Sequence, residues 1–136
     1  MITDELVAKI KQALEKESRI IGAYVIGSMV QGRETRESDF DLAVIVDSKK
    51  ALDENKIYDS IKGINFPKNL DLSVVDQSSS PLFLFQIISK SQRIYERNSA
   101  DIIAFEAFTL HNYYDTQHLR NIYYESLKPK FSYANQ

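Results

Sequence analysis

A chain of 136 residues is long enough for one domain with its own core, and 43% hydrophobic with 26% charged residues are ordinary proportions for a soluble globular protein. With no Cys, a disulfide framework and a thiolate metal site are excluded, and a reducing cytoplasm is the compatible compartment. A formal net charge of −2 disfavours long DNA or RNA as a partner. Apolar runs such as Ile20 to Ile26 are far shorter than the ~20 residues that span a bilayer, and Asp4 and Glu5 do not fit a signal peptide.

Val7, Ile10 and Leu14 recur at helical spacing, so Thr3 to about Glu17 is predicted as an amphipathic helix with Thr3 as N-cap. Ile20 to Ile26 is β-rich and stops at Gly27, which marks a buried strand ending in a turn. A polar stretch from Ser28 to Ser38 leads into Asp39 to Val46, a second strand with an acidic start and an apolar remainder. Lys49 to Ile61 is predicted helical. Gly63 and Pro67 break the chain before a third strand, Leu70 to Val75, which carries Asp71. Pro81 suits the first turn of a helix over 82–89, with a hydroxyl ahead of it as cap, and Arg93 to Tyr95 reads as a short edge strand. From about Ala100 to Leu127 there is neither Pro nor Gly, which predicts one long helix or a broken pair, and 129–136 reads as a loose tail after a single domain over 1–128. The expected fold is α/β or α+β: a two-layer core in which a short mixed sheet of residues 20–27, 39–47 and 69–76 carries packed helices.

The chemistry concentrates in Gly27-Ser28, ten further residues, Asp39-Phe40-Asp41, and Asp71 on a later strand. Alternate strand residues share a face, so Asp39 and Asp41 project together while Phe40 and Leu42 turn to the core. Two carboxylates held that close repel unless a cation neutralises them, and Mg²⁺ commonly binds one or two carboxylates together with substrate phosphates. Asp71 has the opposite parity from Leu70, Leu72 and Val74, so a neighbouring strand can bring it beside the pair. Gly27 allows close approach of the backbone to a phosphate, and free N–H groups with the Ser28 hydroxyl can grip one. An isolated Asp-x-Asp at a strand start is usually a solvated turn. It is the joint pattern that points to a metal–triphosphate site.

The spacing Gly27-Ser28-x10-Asp39-x-Asp41 resembles the signature of the polymerase-beta-like nucleotidyltransferases. The stretch GSMVQGRETRESDFDLAVIV is similar to their minimal members, the MNT proteins (MntA-type antitoxins) that pair with HEPN-domain partners in toxin–antitoxin systems. The likeness is specific over 22–46, continues through LDLSVVD to Tyr95 and fades in the C-terminal helix. It implies a polymerase-beta-like core with a long C-terminal helix, Gly27 and Ser28 on the triphosphate, and Mg²⁺, expected as two ions, on Asp39 and Asp41. Asp71 would be the third carboxylate of the metal site, assisting deprotonation of the attacking hydroxyl. Ser38 is counted with the nucleotide-binding residues. Gln31 stands where relatives often have Arg, which leaves Arg33 and Arg36 as candidate phosphate contacts. The implied reaction is in-line attack of an acceptor hydroxyl on the α-phosphorus of ATP, with AMP passing to a Tyr of a HEPN-type toxin in a cytoplasmic hetero-oligomer. The alternatives are transfer to a small molecule such as an aminoglycoside, and an antitoxin that neutralises its partner by contact alone.

Other signals are weaker. Gly27-x4-Gly32-Arg33-Glu34 lacks the Lys and hydroxyl of a P-loop. His111 and His118 have no carboxylate pair nearby to complete a zinc set, and no Arg lies four to six residues before either, so the HEPN nuclease signature is absent. Five of the eight Tyr, at 113, 114, 123, 124 and 133, fall in the C-terminal region, where they either pack the long helix or form a partner surface.

Overall fold

The computed structural model describes residues 2–26, 40–67 and 69–132, with the side chains of 129–132 excepted. Helix α1 (Asp4–Leu14) begins where the Thr3 hydroxyl accepts the Leu6 N–H at 3.1 Å, and its spacing turns Leu6, Ile10 and Leu14 inward. Strands β1 (Ile20–Ile26) and β2 (Phe40–Val46) follow. Helix α2 is Glu54–Ile61, shorter than the expected 49–61. The Asp53 carboxylate accepts the Lys56 N–H at 3.1 Å and fixes the start there, while Ala51 and Leu52 bond back to the Ser48 carbonyl in a turn. Strand β3 (Leu70–Val75) leads to helix α3 (Pro81–Lys90), with Ser80 as N-cap and Pro81 in the first turn as anticipated. Strand β4 (Ser91–Glu96) is longer than the edge strand read from the sequence. Helix α4 (Ser99–Ser132) is one continuous element that passes through Pro129. Of the tail expected over 129–136, residues 133–136 lie outside the described residues.

The four strands form one mixed sheet in the order β3-β2-β1-β4. β1 pairs antiparallel with β2 and β4, and β2 pairs parallel with β3. Helices cover both faces, where a two-layer core was expected. One cluster joins Ile10 and Leu14 of α1 and Ile57 and Ile61 of α2 to Val25, Leu42 and Val44. The other joins Leu84 and Ile87 of α3 and Ile102 and Phe105 of α4 to Tyr24, Ala43 and Ile45. The reason lies in β1 and β2, which are apolar at both parities and need cover on both sides.

Polar ties close the sheet end formed by Val46 and Val75. Arg97 donates to both Asp47 carboxylate oxygens at 2.9 and 3.1 Å, to Asp101 at 2.7 Å and to the Ser18 carbonyl at 2.9 Å. These bonds join β2, the α1–β1 turn and the start of α4, and they hold the guanidinium pKa above its ordinary value. Asp76, buried just after β3, accepts the backbone N–H of Lys49 and of Ser78, both at 2.9 Å, and the Ser78 hydroxyl. Burial alone would raise its pKa, but the accepted bonds outweigh it and hold the carboxyl below the usual value. All three carboxylates, Asp47, Asp76 and Asp101, serve the frame.

Candidate functional site

The opposite end of the sheet carries the acids. Parallel pairing aligns Phe40 with Leu70, Asp41 with Asp71 and Leu42 with Leu72, and the Phe40 N–H donates to the Asn69 carbonyl at 2.7 Å to lock the first rung. Asp41 and Asp71 are therefore direct neighbours on adjacent strands, about 4.8 Å apart along the hydrogen-bonding direction. They also share a face. The next residues of that parity, Ala43 and Ile45 on β2 and Val75 on β3, belong to the core under α3 and α4, while Phe40, Leu42 and Leu72 belong to the opposite core. Ile26, the last residue of β1, is level with Asp41 on the other side, and Ser91 is level with Ile26. Asp41 is half-buried and Asp71 exposed, so the pair sits at the rim of the α3/α4 face.

Of the residues singled out from the sequence, the structure brings Asp41 and Asp71 together and turns Phe40 and Leu42 inward, as the parity required. Gly27, Ser28, Arg33, Arg36, Ser38 and Asp39 lie outside the described residues. Among the described residues no three His, Cys, Asp or Glu are grouped to hold a metal; they contribute the two carboxylates of this rung. Two crowded, accessible carboxylates are a donor set suited to a hard divalent cation, because such a cation relieves their repulsion and leaves room for phosphate oxygens. Asp41 and Asp71 thus fit Mg²⁺ in the chemistry of their donors.

Sequence reasoning missed how α4 runs relative to this site. Ile102 Cδ1 lies 2.7 Å from where a side chain on Gly22 would place its Cβ, so α4 crosses β1 in close contact. One turn later, Glu106 accepts the Tyr24 hydroxyl at 2.7 Å and Arg93 at 2.6 Å. The first contact is near the frame end of β1, and the second is closer to Ile26. Gly22 was the signal for this close approach, but the sequence does not say which element makes it. Farther along, Tyr113 stacks on Phe85 with centroids 3.8 Å apart, and Arg120 covers its other face at 4.0 Å. Tyr113 is thus a packing residue, whereas Tyr114, Tyr123 and Tyr124 are exposed, and Tyr133 lies outside the described residues. His111 pairs with Asp115 at 3.0 Å on the exposed surface and His118 is exposed too, in keeping with solvated histidines.

No helix among the described residues is long and apolar enough to cross a membrane. No curated protein matches the chain. Its fold is similar to that of a chain in a crystal structure of a toxin–antitoxin with AMP-PNP, at 22% identity and a TM-score of 0.70 over 90% of this chain and 98% of that one. It is also similar to a chain in a complex of tri-AMPylated Shewanella oneidensis HEPN toxin with MNT antitoxin, at 18% identity and a TM-score of 0.70 over 93% and 99%. A spectinomycin adenyltransferase from Enterococcus faecialis, with ATP and spectinomycin, shares the fold more loosely, at 18% identity and a TM-score of 0.52 over 72% of this chain and 58% of that one. The sequence profile of the family "Polymerase beta, Nucleotidyltransferase" matches residues 8–100, and with the acids of β2 and β3 in register at one sheet end, the chain belongs to the polymerase beta nucleotidyltransferase family.

Proposed function

We propose that this chain is a Mg²⁺-dependent nucleotidyltransferase that moves AMP from ATP onto a hydroxyl, a Tyr in our reading, of a HEPN-type toxin, and so acts as its antitoxin in a cytoplasmic hetero-oligomer. The observation that carries the reading is the side-by-side placement of Asp41 and Asp71 on one face. Family membership supplies the reaction class. Two solved structures with this fold favour the acceptor: one is a toxin–antitoxin with AMP-PNP, and in the other the HEPN toxin is tri-AMPylated.

In this reading Asp39, Asp41 and Asp71 hold Mg²⁺, expected as two ions, and Asp71 also assists in taking the proton from the acceptor hydroxyl. Gly27 and Ser28 grip the triphosphate, with Arg33, Arg36 and Ser38 as further nucleotide contacts. The metal supplies charge neutralisation at the phosphates when bound. Asp71 suits the proton-accepting role because it is exposed on the edge strand and meets a hydroxyl from outside. The rival reading, transfer to a small cationic acceptor, has the spectinomycin enzyme as its support. This chain spans 58% of that enzyme against 98–99% of the toxin–antitoxin chains, which favours the protein acceptor.

The test is incubation with labelled ATP, Mg²⁺ and a HEPN-type protein, followed by intact-mass and peptide mass spectrometry. The reading expects AMP on a Tyr-bearing peptide of the partner. A tight complex with no mass change would identify an antitoxin that works by contact alone.

A further inference from the structure

Among the described residues, the ring contacts of other elements with α4 stop at Tyr113 and Tyr114, well before the helix ends at Ser132. Ile102 packs over Gly22 and Glu106 bonds to Tyr24, so four helical residues, about 6 Å of rise, match two strand residues, about 6.6 Å. Continued at that pitch, α4 draws level with Ile26, and hence with the Asp41–Asp71 rung, near residue 110. The 22 residues from there to Ser132 extend about 33 Å farther, on the acid-bearing end of the sheet. Phe85, against Tyr113 and edge-on to Tyr114, is the last ring of another element to touch α4 among the described residues. After it, Thr116 and Arg120 bond within the helix, and Tyr123 meets Tyr124.

Among the described residues this overhang carries exposed apolar side chains. Tyr114, Leu119, Ile122, Tyr123 and Tyr124 are each between 52% and 64% exposed. Leu119, Ile122 and Tyr123 stand at i, i+3 and i+4, the spacing of anchors that a helix lays into an apolar groove. At roughly 100 Å² of open surface apiece, the five side chains offer on the order of 500 Å², much of the ~800 Å² that each side of a stable interface buries. Most helix stability in proteins comes from packing an apolar face, so a partner covering this one would add to the order of the overhang.

Its charge narrows the occupant. From His111 to Ser132 the acids are Asp115 and Glu125 and the bases Arg120, Lys128 and Lys130, a net of +1. No cationic stripe exists there for nucleic acid or an anionic bilayer. A near-neutral protein with an apolar groove fits. The location argues for the acceptor protein over a second copy of this chain: Leu119 to Tyr123 stand about 14–20 Å along the helix beyond the level of the rung, within the span of a protein body seated on the overhang and reaching back to Asp41 and Asp71.

We propose that the Leu119, Ile122 and Tyr123 face of the α4 overhang docks the protein that receives the nucleotide and holds its hydroxyl at the acid rung. This rests on the function proposed above, and the test separates the two. The double variant Leu119→Asp/Ile122→Asp is compared with the parent for binding of the HEPN-type partner by calorimetry, nucleotidyl transfer to it, ATP affinity and oligomeric state by light scattering. Circular dichroism checks the fold, which exposed positions should leave intact. The expected result is a loss of partner affinity of 10-fold or more, with KM for the partner raised in step, kcat at saturating partner kept and ATP affinity unchanged. Parent-like binding and KM in the variant overturn the docking surface while leaving the function standing. If the parent transfers nothing but binds the partner, and the variant does not, the function fails and the docking surface holds. A variant that changes only from dimer to monomer, with partner binding intact, shows a self-interface and overturns the proposal.

Discussion

Replacing Asp71 with Asn should stabilise the metal-free protein while disabling it. With strands about 4.8 Å apart, two unit negative charges on one rung repel by about 0.9 kcal/mol in water and about 3.5 kcal/mol at an effective dielectric of 20. Asp71 is exposed and Asp41 half-buried, which places the repulsion nearer the lower figure, about 1 kcal/mol. For a chain of 136 residues that is a rise in Tm of roughly 3–6 °C. The assay is thermal unfolding followed by circular dichroism, in EDTA and then with Mg²⁺ and ATP. In EDTA, Asp71→Asn should melt higher than the parent. On addition of Mg²⁺ and ATP, the parent should gain stability by mass action and the variant less than half as much. An Asp71→Asn protein that melts no higher in EDTA and gains as much from Mg²⁺–ATP would refute the shared-cation reasoning.

Other predictions concern the frame. Arg97→Ala removes the ties to Asp47, Asp101 and Ser18 and should cost about 2 kcal/mol by urea titration; Arg97→Lys should recover less than half of that, since an ammonium cannot span both Asp47 oxygens as the guanidinium does. Asp76 has a folded-state pKa below its ordinary 3.8, so its contribution is complete above that value and is lost as pH falls through the lower folded value. Asp76→Asn should flatten the acid side of a stability profile measured from pH 6 to pH 3. Tyr24→Phe deletes the hydroxyl bonded to Glu106 and should cost about 1 kcal/mol, seen as a lower urea midpoint.

Much of the architecture was legible because it is local. Thr3, Ser80 and Pro81 mark helix starts through their own hydrogen bonds and fixed dihedrals, and the three long strands follow from their apolar runs. The acid rung was legible for a related reason: strand parity alone puts Asp41 and Asp71 on faces that a neighbouring pairing can merge. What parity cannot supply is the register. That depends on the Phe40–Asn69 bond and on which strands pair. The start of α2 was misplaced because the Lys49–Ile61 stretch has helical composition throughout, and the cap that decides, Asp53, is one acid among several. The second helical layer was underestimated although β1 and β2 carry its signature, apolar residues at both parities, where a one-sided sheet would alternate. Tyr113 and its neighbours were ambiguous because a ring's fate depends on Phe85, a residue of another helix.

The central claim is that paired carboxylates on β2 and β3 carry out divalent-dependent nucleotidyl transfer. The most direct measurement is the rate of AMP incorporation from labelled ATP into the HEPN-type partner by the parent and by Asp41→Asn, at saturating Mg²⁺. Losing one such charge at a reacting centre typically costs about 10²–10³ in rate, and losing a metal ligand more. The account predicts a fall of at least that size in a folded Asp41→Asn protein that still binds the partner; transfer at the parental rate would contradict it.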